Sequence, residues 1–245
     1  MMSETIVWIS GATDGVGLGL AHTVPYPRAR IINLSRRRHP EFETVQFDLT
    51  LPKTYAAVQA SFERELTAFK GERALFIHNA YYAGRIGFVS EVDPAEYAKC
   101  IQANAAAPQV LGDMFLRAVK PGYESGLVLL SSAAARHPFL GNANYCAAKA
   151  GVEMWVRVAK RELQARGRAT WVVAVRPGFV DTPTTRFAAA QTPTDYPVAS
   201  QIREQLESRA GVLTPEEAGR EIWAGLPPRN DESVLLFGEM VSDRQ

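Results

Sequence analysis

The sequence predicts an α/β fold in which seven parallel strands form one doubly wound sheet with helices on both faces, in a single domain of 245 residues. Short β-branched or aliphatic runs alternate with amphipathic stretches of helical length along the chain, which is typical of a parallel sheet. The strand candidates mostly lack polar alternation, so both faces of the sheet are predicted to be buried. At this length about 70% of the unfolded surface is buried on folding, which is ample for one core.

Seven segments are predicted to form the sheet, in chain order Thr5–Ser10, Arg30–Ser35, Thr44–Phe47, Ala74–His78, Leu127–Ser132, Thr170–Val175 and Ser233–Phe237. Every step between consecutive strands, except the short one to Thr44, is long enough for the right-handed crossover that parallel neighbours require. Since these crossovers are helical, helices are expected to cover both faces of the sheet.

Two helix starts have strong sequence signals. Asp93, Pro94 and Glu96 supply an N-cap, a first-turn proline and a third-position glutamate, and the stretch Thr214–Glu217 repeats this arrangement. The side-chain oxygen of the capping residue can accept a hydrogen bond from a first-turn amide. A helix is therefore predicted to begin just after Asp93 and another just after Thr214.

The segment between Pro177 and Gly211 breaks the alternation of strands and helices. It contains no clear strand, and four prolines punctuate a polar and small-residue stretch that is long for a connection inside a compact domain. Insertions of this kind are typically lids or binding loops. Residues 182–210, called the lid segment below, are therefore expected to close over a bound molecule.

Charge and composition restrict the function classes. The chain has 27 basic against 26 acidic side chains, a formal net charge of +1, which excludes the strong basic field of a dedicated nucleic-acid binder. No apolar run approaches the roughly 20 residues of a membrane span, and the first residues lack the pattern of an export signal. The two cysteines have no CxxC spacing, and the four histidines have no metal-ligand spacing. We therefore expect a cytoplasmic protein without a bound metal, whose partners are small molecules and copies of itself.

A glycine-rich turn directly follows the first predicted strand. Gly11, Gly15 and Gly17 have the spacing GxxxGxG and precede a helical stretch from Leu18. Such glycines let the backbone turn tightly and bring amide groups and the positive end of a helix against a diphosphate. A glycine cluster can also be an ordinary tight turn, but its place after the first strand of an alternating chain favours a dinucleotide site.

Tyr145 and Lys149 are four residues apart, so their side chains lie on one face of a predicted helix. A tyrosine with its reference pKa of roughly 10 is a poor proton-transfer group at neutral pH, whereas a nearby ammonium favours the phenolate. The YxxxK pattern alone is a common chance match. It gains weight here because Ser132 lies at the end of an apolar strand upstream.

Together these motifs resemble the short-chain dehydrogenase/reductase family, a family of Rossmann-type enzymes, over nearly the whole chain. The matching motifs, in the family's order, are Gly11-x-x-x-Gly15-x-Gly17, His78-Asn79-Ala80, Asn104, Ser132, Tyr145-x-x-x-Lys149 and Pro177-Gly178. The resemblance implies an oxidoreductase that transfers hydride between a nicotinamide cofactor and a CH–OH or C=O group. It also implies a homodimer or homotetramer, paired through the helices that begin near Asp93 and Tyr145.

Four catalytic roles follow from the resemblance. Tyr145 is the general acid in reduction and the base in oxidation, and Ser132 orients and polarises the carbonyl. Lys149 holds the cofactor ribose and lowers the pKa of Tyr145. Asn104 anchors a water that relays protons to Lys149, although a helix residue bonded to the backbone is the alternative. Ser131 competes with Ser132 for its role.

The resemblance further implies that the cofactor is NADP(H). The second strand ends at Ser35 without an acidic residue; Arg36, and second Arg37, are expected to pair with the 2′-phosphate, while Arg38 lies in a solvated loop. Asp14 departs from relatives that carry a second basic residue in the glycine loop. The other expected cofactor contacts are Gly11, Thr13, Asp14, Gly15 and Val16 at the diphosphate, Ser35 at the end of the second strand, Asp48, Leu49, Asn79 and Ala80 at the adenosine, and Tyr145, Lys149, Pro177, Gly178, Val180 and Thr182 at the ribose and nicotinamide.

Within the family, residues 137–150 resemble the sepiapterin reductase and benzil reductase branch, chiefly through Pro138, Phe139, Gly141 and the Tyr145-Cys146 pair. That branch uses NADPH to reduce one carbonyl of a vicinal dicarbonyl. The segment at Phe237-Gly238 lacks the aspartate with which sepiapterin reductase holds its pterin, which favours the benzil reductase side. The resemblance thus implies an NADPH-dependent carbonyl reductase of an aromatic or hydrophobic α-diketone.

Four aromatic residues are candidates for the substrate pocket, with core packing as the alternative for each: Tyr81, Tyr82, Phe139 and Phe187. Other functions remain open. The same fold could act on a steroid, a polyol, a pterin or a 3-oxoacyl thioester. A non-catalytic NADP-sensing protein is a further alternative, and the intact set of Ser132, Tyr145 and Lys149 argues against it.

Overall fold

Seven parallel strands form one sheet in the order β3-β2-β1-β4-β5-β6-β7 in a computed structural model, which describes residues 5–229 and 231–238. The strands are β1 (Thr5–Ser10), β2 (Arg30–Ser35), β3 (Glu43–Gln46), β4 (Arg73–His78), β5 (Glu124–Leu130), β6 (Trp171–Arg176) and β7 (Val234–Leu236). The strand order reverses between β1 and β4, which is the arrangement that opens a crevice at the carboxyl edge of a parallel sheet. The predicted Rossmann-type sheet is confirmed.

The start and end of β5 differ from the prediction. The strand begins at Glu124 rather than Leu127, because its polar first residues find partners on neighbouring strands. Arg73 donates to the Glu124 carboxylate at 2.8 Å, and the Ser125 and Thr170 hydroxyls lie 2.9 Å apart. The strand ends at Leu130, so the two serines that follow belong to a loop at the carboxyl edge.

Eight α-helices connect the described strands: α1 (Gly15–His22), α2 (Tyr55–Thr67), α3 (Pro94–Ile101), α4 (Ala107–Ala118), α5 (Ala143–Ala165), α6 (Pro183–Ala189), α7 (Ala199–Ser208) and α8 (Pro215–Ala224), with 3-10 turns at Pro52–Thr54 and Ala133–Ala135. Both predicted helix starts are confirmed. The Asp93 carboxylate accepts bonds from the amides of Ala95 and Glu96 at 3.0 and 3.1 Å. Thr214 and Glu217 form a reciprocal capping box.

The two faces of the sheet carry separate apolar cores. On one face, α2, α4 and α5 pack against a fully buried aromatic group that contains Trp8, Phe62 and Phe115. The indole of Trp8 donates to the Ser61 hydroxyl at 3.1 Å, so this buried polar group is satisfied. On the other face, α1 and α8 cover β1, β4, β5 and β6. The residues at the carboxyl edge are therefore held by strands that are fixed from both sides.

A π-helical turn, Gln102–Ala106, joins α3 to α4 and was not predicted. Pro108 follows it and has no amide hydrogen, so it cannot donate to the carbonyl of Asn104 four residues earlier. The Asn104 carbonyl thus lacks its α-helical partner. Widened turns of this kind occur most often at functional sites.

The lid segment contains two helices, α6 and α7, which were not predicted. It contains no strand, as predicted. Its two ends are held together outside the sheet. The Asp181 amide donates to the Leu213 carbonyl at 2.9 Å, and the Leu213 amide donates to the Phe179 carbonyl at 2.9 Å. The Asp181 carboxylate also accepts hydrogen bonds from Arg186, which lies in α6, and from Arg209, which directly follows α7.

None of the described helices has both the length and the apolar character needed to cross a membrane. Within the same residues, no group of histidine, cysteine or carboxylate side chains is arranged to hold a metal ion. Cys100 and Cys146 are free thiols.

Candidate functional site

A cleft of about 900 Å³ opens at the carboxyl edge of the sheet, where the loops after β1, β2, β4, β5 and β6 meet the lid segment. Every residue predicted to contact the cofactor lines it: Gly11, Thr13, Asp14, Gly15, Val16, Ser35, Arg36, Arg37, Asp48, Leu49, Asn79, Ala80, Tyr145, Lys149, Pro177, Gly178, Val180 and Thr182. Ser132 and the aromatic residues Tyr81, Tyr82, Phe139 and Phe187 also line it. Asn104 does not belong to this lining.

The glycine-rich turn after β1 leaves a backbone-walled space. Gly11 has a φ of +73°, and a Cβ there would come within 3.2 Å of the Ala80 Cα. A Cβ at Gly17 would lie 2.2 Å from the Gly11 carbonyl oxygen, so only glycine fits. The Asp14 side chain makes no capping bond at the start of α1, which leaves first-turn amides of that helix available. Free amides at a helix N-terminus fit the diphosphate of a dinucleotide.

Buried polar side chains hold this turn in place. The Ser10 hydroxyl accepts bonds from the amides of Asn79 and Ala80, both at 2.9 Å, and so joins β1 to the loop after β4. The Asn33 side chain accepts from the Ala12 amide at 3.2 Å and donates to the Arg37 carbonyl at 3.1 Å. Sequence reasoning missed Asn33. The sequence signal for Asn33 was one amide side chain within the apolar strand β2.

The arginines after β2 already have acidic neighbours. Arg37 pairs with the carboxylate of Asp14 and donates to the Thr13 hydroxyl at 2.8 Å. Arg36 lies 3.9 Å from Asp48, whose other oxygen accepts bonds from the Thr50 amide and hydroxyl. The side chains of Arg36 and Arg37 are 70% and 67% exposed, so both guanidinium groups can reorient toward a bound anion.

Ser132, Tyr145 and Lys149 meet at the floor of the cleft. Ser132 follows β5 and faces the Tyr145 phenol, and its hydrogen bond acts to lower the pKa of that phenol. The Lys149 ammonium lies 5.6 Å from the centroid of the Tyr145 ring and donates to the Leu130 carbonyl at 2.7 Å. Helix α5 therefore presents both residues of the YxxxK pair toward the end of β5.

The pKa of Tyr145 shifts in the direction opposite to the prediction. Burial raises the pKa of the phenol to about 12, and the opposing effect of the Ser132 hydrogen bond is smaller. Burial also lowers the pKa of Lys149 to about 8. For Tyr145, desolvation therefore outweighs the Ser132 hydrogen bond in the chain alone.

Ser131 points away from the reactive phenol. Its hydroxyl donates to the Glu153 carboxylate at 2.8 Å, and Arg176 donates to both oxygens of that carboxylate at 2.7 and 2.8 Å. Glu153 is only 2% exposed, so this pair is buried and bidentate. The network joins the end of β5 to the end of β6, and it separates Ser131 from the position that Ser132 occupies.

Asn104 supports the loop after β4. The side-chain oxygen of Asn104 accepts a hydrogen bond from the Tyr82 backbone amide at 3.0 Å, and its side-chain nitrogen donates to the Tyr82 carbonyl at 2.9 Å. The side chain therefore makes the backbone contacts that were the alternative expectation. The Asn104 carbonyl has no α-helical donor, because Pro108 lacks an amide hydrogen. The water site stays a prediction.

His78, at the end of β4, is 3% exposed, and its Nε2 is the buried side-chain polar atom without a hydrogen-bond partner among the described residues. Burial, together with the nearby Lys149 ammonium, lowers the pKa of its imidazole to about 3. The imidazole is therefore neutral at every ordinary pH.

Aromatic side chains form the wall of the cleft beside Tyr145. The Tyr81 ring meets the Tyr145 ring edge to face, with centroids 5.0 Å apart. Phe139 packs against Tyr196 of the lid segment, which is 4% exposed and also lines the cleft. Phe187 is 38% exposed, and the Tyr82 hydroxyl donates to the Glu96 carboxylate at 2.7 Å. Sequence reasoning missed Tyr196.

Comparison with known proteins gives a consistent family. A family model described as short chain dehydrogenase matches residues 5–193. The chain is 25% identical over 189 residues to a benzil reductase ((S)-benzoin forming) of Bacillus cereus, which covers 72% of this chain and 76% of the relative. It is 30% identical over 215 residues to the sepiapterin reductase of Xenopus laevis, covering 78% and 79%. A 3-oxoacyl-[acyl-carrier-protein] reductase of Escherichia coli is 25% identical over 221 residues, covering 88% and 83%.

The fold also matches solved structures. A short chain dehydrogenase from Burkholderia cenocepacia in complex with NADP superposes with a TM-score of 0.73 at 22% identity, covering 98% of this chain and 91% of the other.

Proposed function

Because the chain belongs to the short-chain dehydrogenase family, and is thus an oxidoreductase for CH–OH or C=O groups, we propose that it is an NADPH-dependent carbonyl reductase of aromatic α-diketones. The observation that carries this proposal is the meeting of Ser132, Tyr145 and Lys149 between a glycine-walled groove and an aromatic wall of one cleft. A carbonyl placed there lies beside a proton donor and beside the space for a nicotinamide.

A reduced nicotinamide held in the glycine-walled groove would supply the hydride. Tyr145 would donate its phenolic proton to the carbonyl oxygen of a bound substrate, and Ser132 would donate a hydrogen bond to the same oxygen. The raised pKa of Tyr145, about 12, keeps the phenol protonated at neutral pH, which is the form that reduction requires.

Lys149 restores the proton to Tyr145. With its pKa lowered to about 8 by burial, this lysine can release and rebind a proton close to neutral pH. Its position one helical turn from Tyr145 also suits the ribose of the cofactor. The Asn104 carbonyl has no helical donor, because Pro108 lacks an amide hydrogen. A water bound to this carbonyl completes the relay.

NADP(H) is the proposed cofactor. Arg36 and Arg37 stand after β2 where an acidic residue would favour the free 2′-hydroxyl of NAD, and their exposed guanidinium groups can pair with a 2′-phosphate. Arg37 must share its charge between that phosphate and Asp14. The NADP found in the Burkholderia cenocepacia structure agrees with this choice without deciding it.

An aromatic diketone fits the wall of the cleft. The Tyr81 ring meets the Tyr145 ring, Phe139 and Tyr196 line the same cleft, and the lid segment can cover a bound substrate. The similarity to benzil reductase supports the same substrate class. The similarity to a 3-oxoacyl-[acyl-carrier-protein] reductase favours a second candidate, a 3-oxoacyl thioester.

Turnover kinetics test the proposal. Purified protein is mixed with NADPH or NADH and with benzil, a simple aldehyde, sepiapterin or a 3-oxoacyl thioester, and cofactor oxidation is followed by its absorbance. The highest kcat/KM is expected for NADPH with benzil. A preference for the thioester, or equal rates for all carbonyls, would contradict the diketone assignment.

A further inference from the structure

The polar groups beside the reactive phenol include one that the mechanism does not use. Tyr196, from the lid segment, is 4% exposed and lines the cleft. Its phenol lies close enough to that of Tyr145 to raise the pKa of Tyr145. The Tyr81 ring also meets the Tyr145 ring, but the Tyr81 hydroxyl already donates to the Ala83 carbonyl at 3.3 Å.

The hydrogen bonds of Tyr196 leave its hydroxyl hydrogen available. The Asn142 side chain donates to the phenolic oxygen, which lowers the pKa of Tyr196 against the effect of its burial. Asn142 is itself 7% exposed and lines the cleft. With its acceptor position used by Asn142, the Tyr196 hydroxyl can donate into the cleft.

The backbone fixes Tyr196 in this place. Gly141 has a φ of +81°, and a Cβ there would lie 2.2 Å from the Asp195 carbonyl oxygen, so only glycine lets the lid segment approach so closely. The Tyr196 amide donates to the Thr192 carbonyl at 2.9 Å. The Tyr196 ring packs in one cluster with Ile86 and Ala199. A buried and well-packed ring of this kind presents its hydroxyl in a defined direction.

We propose that Tyr196 donates a hydrogen bond to a second oxygen of the substrate, on the carbon next to the reacting carbonyl, and so makes the site selective for vicinal dicarbonyls and α-hydroxyketones. Tyr145 and Ser132 meet the first oxygen, and Tyr196 meets the second. An aromatic wall with a few placed donors binds apolar rings and fixes their orientation. A ketone that lacks the second oxygen leaves the buried Tyr196 hydroxyl unpaired, which costs affinity. This inference rests on the proposed carbonyl reductase function.

Benzil and deoxybenzoin form a matched pair of probes, since deoxybenzoin has the same two phenyl rings and one carbonyl replaced by a methylene. Dissociation constants for both are measured with the NADP⁺-saturated protein by calorimetry, and kcat/KM for both with NADPH. Tyr196→Phe removes one hydroxyl and keeps the ring. Tyr123→Phe is the control, because that hydroxyl accepts a hydrogen bond from the Lys120 amide and Tyr123 is outside the cleft lining.

The wild-type protein is expected to bind benzil more tightly than deoxybenzoin, and Tyr196→Phe is expected to reduce this preference on the order of tenfold. Tyr123→Phe is expected to keep the wild-type preference. Equal losses for both ligands in Tyr196→Phe, or no loss, would overturn the role of Tyr196. If the wild-type protein reduces neither ketone while Tyr196→Phe still changes the binding preference, the proposed reductase activity is wrong and the second-oxygen contact stands.

Discussion

At the scale of single residues, burial affects the pKa values in the site as much as charge does. The same desolvation that raises the pKa of Tyr145 to about 12 lowers that of Lys149 to about 8, so the two groups have opposite shifts. A protonated phenol beside a lysine that titrates near neutral pH is an arrangement for donating a proton and replacing it.

The arginines after β2 give a direct test of cofactor choice. Arg36→Asp places a carboxylate where the 2′-phosphate is proposed to lie, so the KM for NADPH is expected to rise about tenfold or more, while the KM for NADH changes little. Steady-state kinetics with both cofactors measure this. Arg38→Asp is the matched control, since Arg38 is exposed and outside the cleft lining. An unchanged KM for NADPH in Arg36→Asp would refute the phosphate contact.

His78 gives a prediction for stability against pH. Its pKa is lowered from 6.5 to about 3 in the folded chain, so between these values the unfolded chain binds more protons and the free energy of unfolding falls as pH decreases. Above pH 6.5 both states are neutral at this site and it contributes nothing to the pH dependence. The full loss is at most about 5 kcal/mol at pH 3.

Urea unfolding at pH 7 and at pH 4 compares the wild type with His78→Asn. The variant is expected to lose less stability over this interval, because it has no imidazole to protonate on unfolding. His22→Asn, at an exposed position, is the control. If His78→Asn and the wild type lose equal stability, the imidazole is not the group responsible.

Much of the site was predictable from the sequence because backbone conformation constrains residue type. The spacing of Gly11, Gly15 and Gly17, and the helical register of Tyr145 and Lys149, have a direct structural meaning. Asn33 and Tyr196 were missed because their roles depend on contacts between distant segments. The pKa of Tyr145 was predicted wrongly because its burial cannot be inferred from local spacing.

At the scale of elements, buried strands and capped helices were predictable, while their irregular ends were not. The strands β1 and β2 have the predicted bounds because their apolar runs end at turn residues. The early start of β5 depends on hydrogen bonds from its first residues to Arg73 on β4 and to Thr170 before β6. A pattern of apolar residues does not reveal such partners. The π-helical turn required Pro108 together with the packing of Asn104, so its sequence signal was weak.

The approach of the lid segment to the loop before α5 can be tested at Gly141. In Gly141→Ala the new Cβ clashes with the Asp195 carbonyl oxygen, and a positive φ costs about 1–2 kcal/mol for a residue with a side chain. The kcat/KM is expected to fall about tenfold or more, because the lid segment is displaced, with little change in NADPH affinity.

Gly167→Ala is the control for this substitution, since Gly167 also has a positive φ, +64°, and a Cβ there has nothing within 4 Å. It is expected to keep the wild-type activity and to unfold at a lower temperature. Full activity in Gly141→Ala, measured by turnover and thermal unfolding together, would show that the close approach is not needed.

At the scale of the whole molecule, an apolar strip on α4 and α5 is left exposed: Val110 is 40% exposed, Met154 is 55% exposed and Val158 is 46% exposed. We propose that this strip pairs two copies of the chain. Val158→Arg is expected to convert the oligomer to a monomer of 26.9 kDa in sedimentation velocity. Leu51→Arg, at a 44% exposed position outside the strip, is the control. A monomeric wild type would contradict the pairing.

Tyr145 is proposed to hand a proton to a carbonyl oxygen, and a reduced nicotinamide would supply hydride to the carbon. Single-turnover oxidation of bound NADPH by benzil, in the wild type and in Tyr145→Phe, tests this proton transfer. The rate is expected to fall about 10²- to 10⁴-fold in the variant, while the dissociation constant of NADPH stays within about twofold. A variant that oxidises NADPH at close to the wild-type rate would contradict the claim.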